Sequence, residues 1–224
     1  MRLRVSLITY CGAVVIEPRG YEISGRFITF EGGEGTGKST QSKRLAESLV
    51  AVNVDALVTR EPGGAPGAEL IRDLLIDGAT DKWDPFTETL LHITARHDHV
   101  ENMIRPALLA GKWVVCDRFL HSTRAYQGYG QGQDLKIIDA LHEIALWGLH
   151  PDLTIILDLD AEIGLQRAFG RGDENGTRYE SMGVEFHQRI RSGFLEMAEQ
   201  SSESFLVIDA SEDIETIALR VKEA

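Results

Sequence analysis

Short apolar runs alternate with longer amphipathic stretches along most of the chain. Runs rich in apolar and β-branched residues predict five strands, at residues 27–30, 55–59, 113–116, 154–159 and 205–208. Helical spacing of apolar residues predicts helices at residues 38–51, 68–76, 85–110, 135–146, 162–169, 184–200 and 214–221. Pro106 should bend or split the third helix, because proline lacks the N–H that a helix needs. A polar, glycine-rich segment at residues 127–133 leads into the fourth helix.

The alternation of strands and helices predicts an α/β fold with a five-stranded parallel sheet. Right-handed connections between parallel strands place helices on both faces of such a sheet. Ligands bind beyond the carboxyl ends of the strands. We therefore expect the chemistry just after four residues, Phe30, Thr59, Cys116 and Leu159. The domain is expected to span residues 25–224.

Residues 1–24 are predicted to be an extension that the domain does not need. Arg2 and Arg4 precede an apolar stretch at residues 5–16, but no small-x-small cleavage site follows it. No apolar run reaches the ~18 residues that a membrane span requires. The two cysteines, Cys11 and Cys116, suit neither a disulfide framework nor a metal cluster. These features favour a cytoplasmic protein over an exported one.

The overall composition and charge limit the kinds of molecule that the chain is expected to bind. With 43% hydrophobic and 26% charged residues, the chain resembles an average globular protein, which excludes disorder or a coiled coil for most of it. The net charge of −12 argues against a broad contact with nucleic acid or an anionic membrane. A small anionic ligand remains compatible with this charge, because a few local arginines can bind it.

The loop after the first predicted strand carries a phosphate-binding motif of the form G-x-x-x-x-G-K-[ST]. Its residues are Gly32, Gly33, Glu34, Gly35, Thr36, Gly37, Lys38 and Ser39, followed by Thr40. Backbone N–H groups of such a loop surround phosphate oxygens, and the following helix adds positive partial charge at its N-terminus. Lys38 is expected at the β and γ phosphates of ATP and Ser39 at Mg²⁺. With the parallel sheet, the motif predicts a P-loop NTPase-type fold.

Acidic and basic residues at the strand ends extend this site. Asp117 ends the third strand, where a carboxylate holds Mg²⁺ or its water shell. Arg60 and Arg118 follow the second and third strands, and each can bind a phosphate bidentately, with a salt bridge as the alternative for Arg118. Arg96 lies in a predicted helix, where a solvated face is the alternative. The guanine-reading sequence N-K-x-D is absent, which argues against a regulatory GTPase.

A polar loop at about residues 170–180 is predicted to be a mobile lid. Arg167, Arg171 and Arg178 bracket it, so the lid would bring positive charge to the transferring phosphoryl group and exclude water. An ordinary solvated loop is the alternative. His92, His97 and His99 lie close together in the sequence, but their spacing does not place all three on one helix face, so no metal site is expected there.

Taken together, these segments resemble the thymidylate kinases, and the bacterial members in particular. The resemblance covers about residues 25–221. It rests on F-E-G with the phosphate loop, T-R-E-P-G-G at residues 59–64 and D-R-x-x-x-S-T-x-A-Y-Q at residues 117–127. P-D-L at residues 151–153 and E-F-H at residues 185–187 fit as well.

The resemblance implies transfer of the γ-phosphoryl group of ATP to dTMP with Mg²⁺, in dTTP synthesis, by a homodimer. It implies that Arg60 and Arg118 hold the dTMP phosphate, that Arg96 donates to a thymine carbonyl, and that Thr123 or Gln127 faces the ring N–H. Tyr126 would crowd the 2′ position. The implied catalytic residues are Lys38, Arg118, Arg171 and Arg178. The implied substrate-binding residues are Glu34, Arg60, Glu61, Pro62, His92, Arg96, Arg118, Ser122, Thr123, Tyr126 and Gln127.

Two positions depart from the family pattern. His92 stands where a phenylalanine usually stacks on the base, with a histidine turned to solvent as the alternative. Protonation, which an unperturbed histidine undergoes near pH 6.5, would change a contact with the base. Gly176-Thr177-Arg178 stands where an acid–arginine pair is common in the lid. Two other functions stay open: a kinase of the same fold for another nucleotide or a nucleoside, and a P-loop protein that binds ATP as a switch.

Overall fold

Two sheets form in the computed structural model, which describes residues 7–10, 13–16, 23–170 and 178–223. A hairpin pairs β1 (Leu7–Tyr10) with β2 (Ala13–Ile16). The larger sheet consists of five parallel strands, which are β3 (Phe27–Glu31), β4 (Ala56–Arg60), β5 (Trp113–Asp117), β6 (Leu153–Asp158) and β7 (Phe205–Asp209). Their order in the sheet is β4-β5-β3-β6-β7. The predicted α/β fold is confirmed, and each strand of this sheet lies within one residue of its predicted bounds.

The helices also follow the sequence pattern closely. They are α1 (Lys38–Ala51), α2 (Pro66–Ile76), α3 (Pro85–His99), α4 (Arg105–Leu109), α5 (Leu120–Thr123), α6 (Leu135–Leu146), α7 (Ala161–Phe169), α8 (Val184–Gln200) and α9 (Ile214–Glu223). α2 begins two residues before its predicted start, at Pro66, because proline suits the first helical position, where no N–H bond is lost. In the described part of the chain, no helix has the length and apolar character needed to cross a membrane.

Two π-helical turns are the main departures from the predicted pattern. Val100–Ile104 joins α3 to α4, so the long predicted helix is interrupted just before Pro106. Arg124–Gly130 continues α5, although this polar, glycine-rich stretch carries no helical pattern of apolar residues. Gln127 is buried in that turn, so the inward-facing side of the turn is partly polar. Apolar periodicity therefore could not predict this helical turn, and π turns of this kind are frequent at functional sites.

Apolar side chains cover both faces of the five-stranded sheet. Leu45 of α1 and Ile217 of α9 pack in the cluster on one face. Ile104 and Leu108 lie with Phe27 in the cluster on the other face. β3 is buried along its whole length. Because both faces of the sheet are packed in this way, the carboxyl ends of its central strands are held at defined positions.

The N-terminal hairpin was not predicted. In it Leu7 lies opposite Ile16 and Tyr10 opposite Ala13. That residues 1–24 are dispensable stays a prediction, which turnover by a chain beginning at Ser24 would test.

Candidate active site

One cavity of about 360 Å³ lies beyond the carboxyl ends of β3, β4 and β5. It brings together most of the predicted site residues: Glu34, Gly35, Thr36, Gly37, Lys38, Ser39, Thr40, Arg60, Glu61, Pro62, His92, Arg96, Asp117, Arg118, Ser122, Thr123, Tyr126 and Gln127. Four further residues line it. Arg72 and Ile76 were not suggested by the sequence, and Tyr179 and Glu180 belong to the end of the predicted lid segment. Arg171 lies outside the described residues.

The phosphate loop forms the end of the cavity next to α1. Gly37 adopts a φ of 91° as the N-cap of α1, a left-handed conformation that favours glycine. A Cβ atom on Gly35 would lie 2.0 Å from the carbonyl oxygen of Gly164, so this position also requires glycine. Nζ of Lys38 donates to the carbonyl of Gly33 at 2.5 Å and to Oγ1 of Thr36 at 3.2 Å. The lysine therefore folds back over the loop.

Burial and the positive charge of Arg118 lower the pKa of Lys38 to about 8. An anion bound in the loop would oppose both effects, since it offers the buried ammonium a counter-charge. Beside the lysine, the hydroxyl of Ser39 donates to the carboxylate of Asp117 at the end of β5. Two hard oxygen ligands are thus adjacent at the mouth of the loop, which is the donor chemistry that Mg²⁺ prefers.

Arg118 connects the phosphate loop to the rest of the cavity. Its φ of 71° is unusual for a residue other than glycine, and its backbone N–H donates to the carbonyl of Phe30 at 2.8 Å. The guanidinium donates to Glu34 at 2.9 Å and to the carbonyl of Gly32 at 3.1 Å. Tyr126 donates to the same Glu34 carboxylate at 2.7 Å. Arg118 therefore both forms a salt bridge and lines the cavity.

Glu34 is a fixed anion within this group. Burial alone would raise its pKa, but the charges of Arg118 and Lys38 lower it to about 2. The carboxylate holds Arg118 and the hydroxyl of Tyr126 in one arrangement. An arginine held in this way loses little conformational freedom when it binds a phosphate.

A second carboxylate, Glu31, is buried at the end of β3 and does not line the cavity. Its oxygens accept from Oγ of Ser122 at 2.6 Å and from the backbone N–H of Phe119 at 2.9 Å. Burial raises its pKa to about 7 in spite of these bonds. Glu31 thus ties the end of β3 to the start of α5, and this role was not predicted from the F-E-G segment.

Arg96 is buried, so the alternative of a solvated helix face is wrong. Its Nε donates to Glu61 at 2.6 Å, and Nη2 donates to the carbonyl of Phe119 at 3.0 Å. Nη1 donates to Oγ1 of Thr123 and to Nε2 of His142, each at 2.8 Å. These contacts use four of the five N–H groups of a guanidinium. Among the described contacts, one Nη2 N–H is left for a ligand.

Two further arginines lie on the α2 side of the cavity. Nη2 of Arg60 contacts both carboxylate oxygens of Glu69 at 3.1 Å, and about half of its side chain is exposed. Nη1 of Arg72 donates to the carbonyl of Pro62 at 2.7 Å. Burial and the charge of Arg60 lower the pKa of Arg72. Two neighbouring guanidinium groups make this side suitable for an anion. The only sequence signal for Arg72 is its place in the helix that follows the T-R-E-P-G-G loop.

The structure corrects the predicted place of Arg178. Its side chain is fully buried and forms an ion pair with Glu88 of α3. Nε donates to the carbonyl of Leu75 at 3.1 Å, and Nη1 donates to the carbonyl of Thr80 at 3.0 Å. Arg178 is therefore not a free lid arginine in this structure. It fixes the chain that follows residues 171–177 onto α2 and α3.

His92 is linked to Glu88 through Tyr179. Nε2 of His92 lies 2.8 Å from the hydroxyl of Tyr179, which donates to Glu88 at 2.9 Å. The hydroxyl has one proton, so the proton between Tyr179 and His92 belongs to Nε2 of the imidazole. Burial and the charges of Arg96 and Arg178 lower the pKa of His92 to about 3. An unperturbed histidine titrates near pH 6.5, so this environment moves the pKa of His92 well below the range in which protonation would change a contact with the base.

A phosphate loop, a carboxylate at the adjacent strand end and arginines around one cavity define a P-loop kinase that acts on a phosphorylated acceptor. Comparisons with known proteins specify the family. The family model for thymidylate kinase matches residues 30–221. A thymidylate kinase from Caulobacter vibrioides is 53% identical over 199 residues, which cover 89% of this chain and 95% of the relative. A thymidylate kinase from Ruegeria pomeroyi is 49% identical, covering 89% and 94%.

A solved structure agrees with these relatives. The crystal structure of thymidylate kinase from Ehrlichia chaffeensis superposes with a TM-score of 0.72 at 36% identity, covering 89% of this chain and 98% of that one. The chain belongs to the thymidylate kinase family. The predicted family is thereby confirmed, and with it the predicted enzyme class, nucleoside monophosphate kinase.

Proposed function

We propose that this chain uses ATP as donor and Mg²⁺ as cofactor to phosphorylate dTMP, which is the reaction that defines its family. The observation that carries the proposal is that one continuous cavity joins the phosphate loop at Lys38 to buried polar groups at Arg96 and Gln127. One end suits the phosphates of a nucleotide, and the other suits the edge of a base. The products are dTDP and ADP.

On the phosphate side of the cavity, the loop of residues 32–39 fits the β and γ phosphates of ATP. A Cβ atom on Gly33 or Gly37 would meet no atom within 4 Å, so the loop encloses open space. Ser39 and Asp117 would hold Mg²⁺ or its water shell, and phosphate oxygens would complete its ligands. When bound, Mg²⁺ neutralises charge on the transferring group. Lys38 would stabilise the same negative charge from within the loop.

The dTMP phosphate would lie between Arg118 and the two arginines on the α2 side of the cavity. Arg118 is already oriented by Glu34, and Arg60 and Arg72 supply two further positive groups. Three guanidinium groups around one anion favour a fixed, bidentate arrangement of its oxygens. No general base is needed, because the acceptor oxygen is already anionic. Positioning and charge stabilisation would supply most of the rate enhancement.

On the base side of the cavity, Arg96 and Gln127 suit thymine. The remaining N–H of Arg96 would donate to a ring carbonyl. Thr123 and Gln127 were both candidates for the ring N–H, and the geometry favours Gln127. The hydroxyl oxygen of Thr123 already accepts from Arg96, whereas Oε1 of Gln127 is buried and accepts no bond from the described residues. Tyr126 would stand near the sugar and His92 against the base.

Two parts of the prediction still depend on the family alone. Arg171 is expected to reach the transferring phosphoryl group from the lid, and the enzyme is expected in the cytoplasm. A homodimer has additional support, because apolar side chains are exposed on the neighbouring helices α2, α3 and α6: Leu70, Leu74, Leu90, Ile137 and Ile144. Light scattering after gel filtration would measure the oligomeric state.

A coupled assay of ADP release tests the proposed reaction. The acceptors are dTMP, dUMP, dCMP, AMP and thymidine, each with ATP and Mg²⁺. We expect turnover of dTMP above all others, and none after removal of Mg²⁺ with EDTA. Faster turnover of AMP than of dTMP would reject dTMP as the acceptor. Turnover of thymidine would indicate a nucleoside kinase. ATP binding without turnover of any acceptor would favour a switch protein.

A further inference from the structure

One buried carboxylate outside the cavity organises its base side. Glu88 has no exposed surface and does not line the cavity. Four side chains donate to it. Arg178 does so as an ion pair, the hydroxyl of Tyr179 at 2.9 Å, Nε2 of Gln127 at 2.7 Å and Nε2 of Gln131 at 2.9 Å. We call these five residues the Glu88 cluster.

The cluster dictates which way the amide of Gln127 faces. An amide presents a donor at Nε2 and an acceptor at Oε1, and the two ends are interchangeable in shape. A carboxylate paired with Arg178 only accepts hydrogen bonds, so it binds the Nε2 end and repels the Oε1 end. Gln127 is 1% exposed, and its Oε1 accepts no hydrogen bond from the described residues. The atom of Gln127 that is left without a partner is therefore the acceptor Oε1, since Nε2 already donates to Glu88.

We propose that Glu88 is a positioning residue that sets base selectivity, by holding Gln127 so that Oε1 faces the base. This inference rests on the proposed function and extends it. Thymine and uracil carry a hydrogen on N3, which Oε1 can accept. Cytosine carries a lone pair on N3, which would face the lone pairs of Oε1. A buried acceptor opposite another acceptor costs free energy in addition to the lost hydrogen bond.

The test is the substrate selectivity of Glu88→Gln. A glutamine at position 88 can either accept from Gln127 or donate to it, so the amide of Gln127 becomes free to turn. We expect the ratio of kcat/KM for dTMP to that for dCMP to fall about tenfold or more. The corresponding ratio for dTMP to dUMP should stay within twofold, because both bases carry the N3 hydrogen. A parallel loss for all three substrates, or an unchanged dTMP-to-dCMP ratio, would overturn the proposal.

Gln131→Leu is the matched control. It also removes an amide that donates to Glu88, but Gln131 does not line the cavity. The dTMP-to-dCMP ratio of this variant should equal that of the wild type. A fall as large as that of Glu88→Gln would attribute the effect to general loosening of the cluster, and this result would also overturn the proposal.

Loss of the ion pair is controlled separately. Glu88→Gln leaves Arg178 buried without a counter-charge, which destabilises the fold. The double variant Glu88→Gln, Arg178→Met removes both charges and should show the same fall in the ratio. If the wild type does not phosphorylate dTMP, the proposed function fails. If the wild type prefers dTMP to dCMP and both Glu88 variants keep that preference, only the role of Glu88 fails.

Discussion

The two sides of the cavity are built in different ways. The phosphate side consists mainly of consecutive residues, in which a glycine-rich loop, Lys38 and Ser39 follow one another into α1. The base side is assembled from side chains far apart in the chain, as when Gln127 contacts Glu88 and Arg96 contacts Glu61. Backbone geometry fixes the first, and a buried polar network fixes the second. Substitutions on the two sides should therefore have different consequences for activity and for stability.

Lys38→Ala should give the largest loss of activity. The ammonium group lies in the loop where phosphate charge develops, so its removal should lower kcat by about 10²- to 10³-fold or more. The melting temperature should change little, because Lys38 donates to Gly33 and Thr36 of its own loop and to no other described residue. Steady-state kinetics and thermal unfolding measure the two effects. Lys43→Ala, on the exposed side of the same helix, should keep normal activity. A comparable loss in Lys43→Ala would contradict the assignment.

Arg178→Met should give the largest loss of stability. It leaves Glu88 buried without its ion-pair partner, and breaking such a pair costs about 3–5 kcal/mol. Denaturant unfolding measures this difference. Arg44→Met removes an exposed pair with Glu215 and should destabilise the fold far less, because solvent screens that pair. Equal losses in the two variants would mean that the Glu88 cluster does not stabilise the fold.

The sequence predicted the two sides unequally, for the same physical reason. The phosphate loop is a local pattern, and the apolar runs before and after it specify a strand and a helix. The network around Glu88 leaves no such pattern, because burial of polar side chains depends on partners far away in the sequence. The family resemblance pointed to His92 and Arg96, whereas Glu88, one helical turn before His92, belongs to none of the segments that carry the resemblance. Nothing in the sequence distinguished that glutamate from a surface one.

Glu31→Gln should make stability less dependent on pH. Burial raises the pKa of Glu31 from 4.5 to about 7. As pH rises, Glu31 therefore loses its proton in the unfolded chain before it does so in the folded protein. The wild type therefore loses stability relative to Glu31→Gln as pH rises from about 4.5 to 7, and the difference is constant above that. A shift of this size corresponds to about 3 kcal/mol. Unfolding at pH 5 and pH 8 measures it, and an equal pH dependence in both proteins would show that Glu31 is ionised when folded.

Substitutions of His92 should have the smallest effect. His92→Ala should raise the KM for dTMP about three- to thirtyfold if the ring stacks on the base, whereas His92→Phe should keep or lower it. Because the pKa of His92 is lowered to about 3, the wild-type KM should show no step from His92 between pH 6 and 8. Initial rates across this range test both statements. An unchanged KM in His92→Ala would remove His92 from the base contact.

Calorimetric titration of each nucleotide into single variants tests the division of the cavity most directly. Lys38→Ala should weaken the binding of a non-hydrolysable ATP analogue with Mg²⁺ about tenfold or more and leave the Kd for dTMP within twofold of wild type. Gln127→Leu should do the reverse, because it removes the buried acceptor on the base side. If either variant weakened both ligands equally, or if Gln127→Leu weakened only the ATP analogue, the two sides would not be separate sites for the two nucleotides.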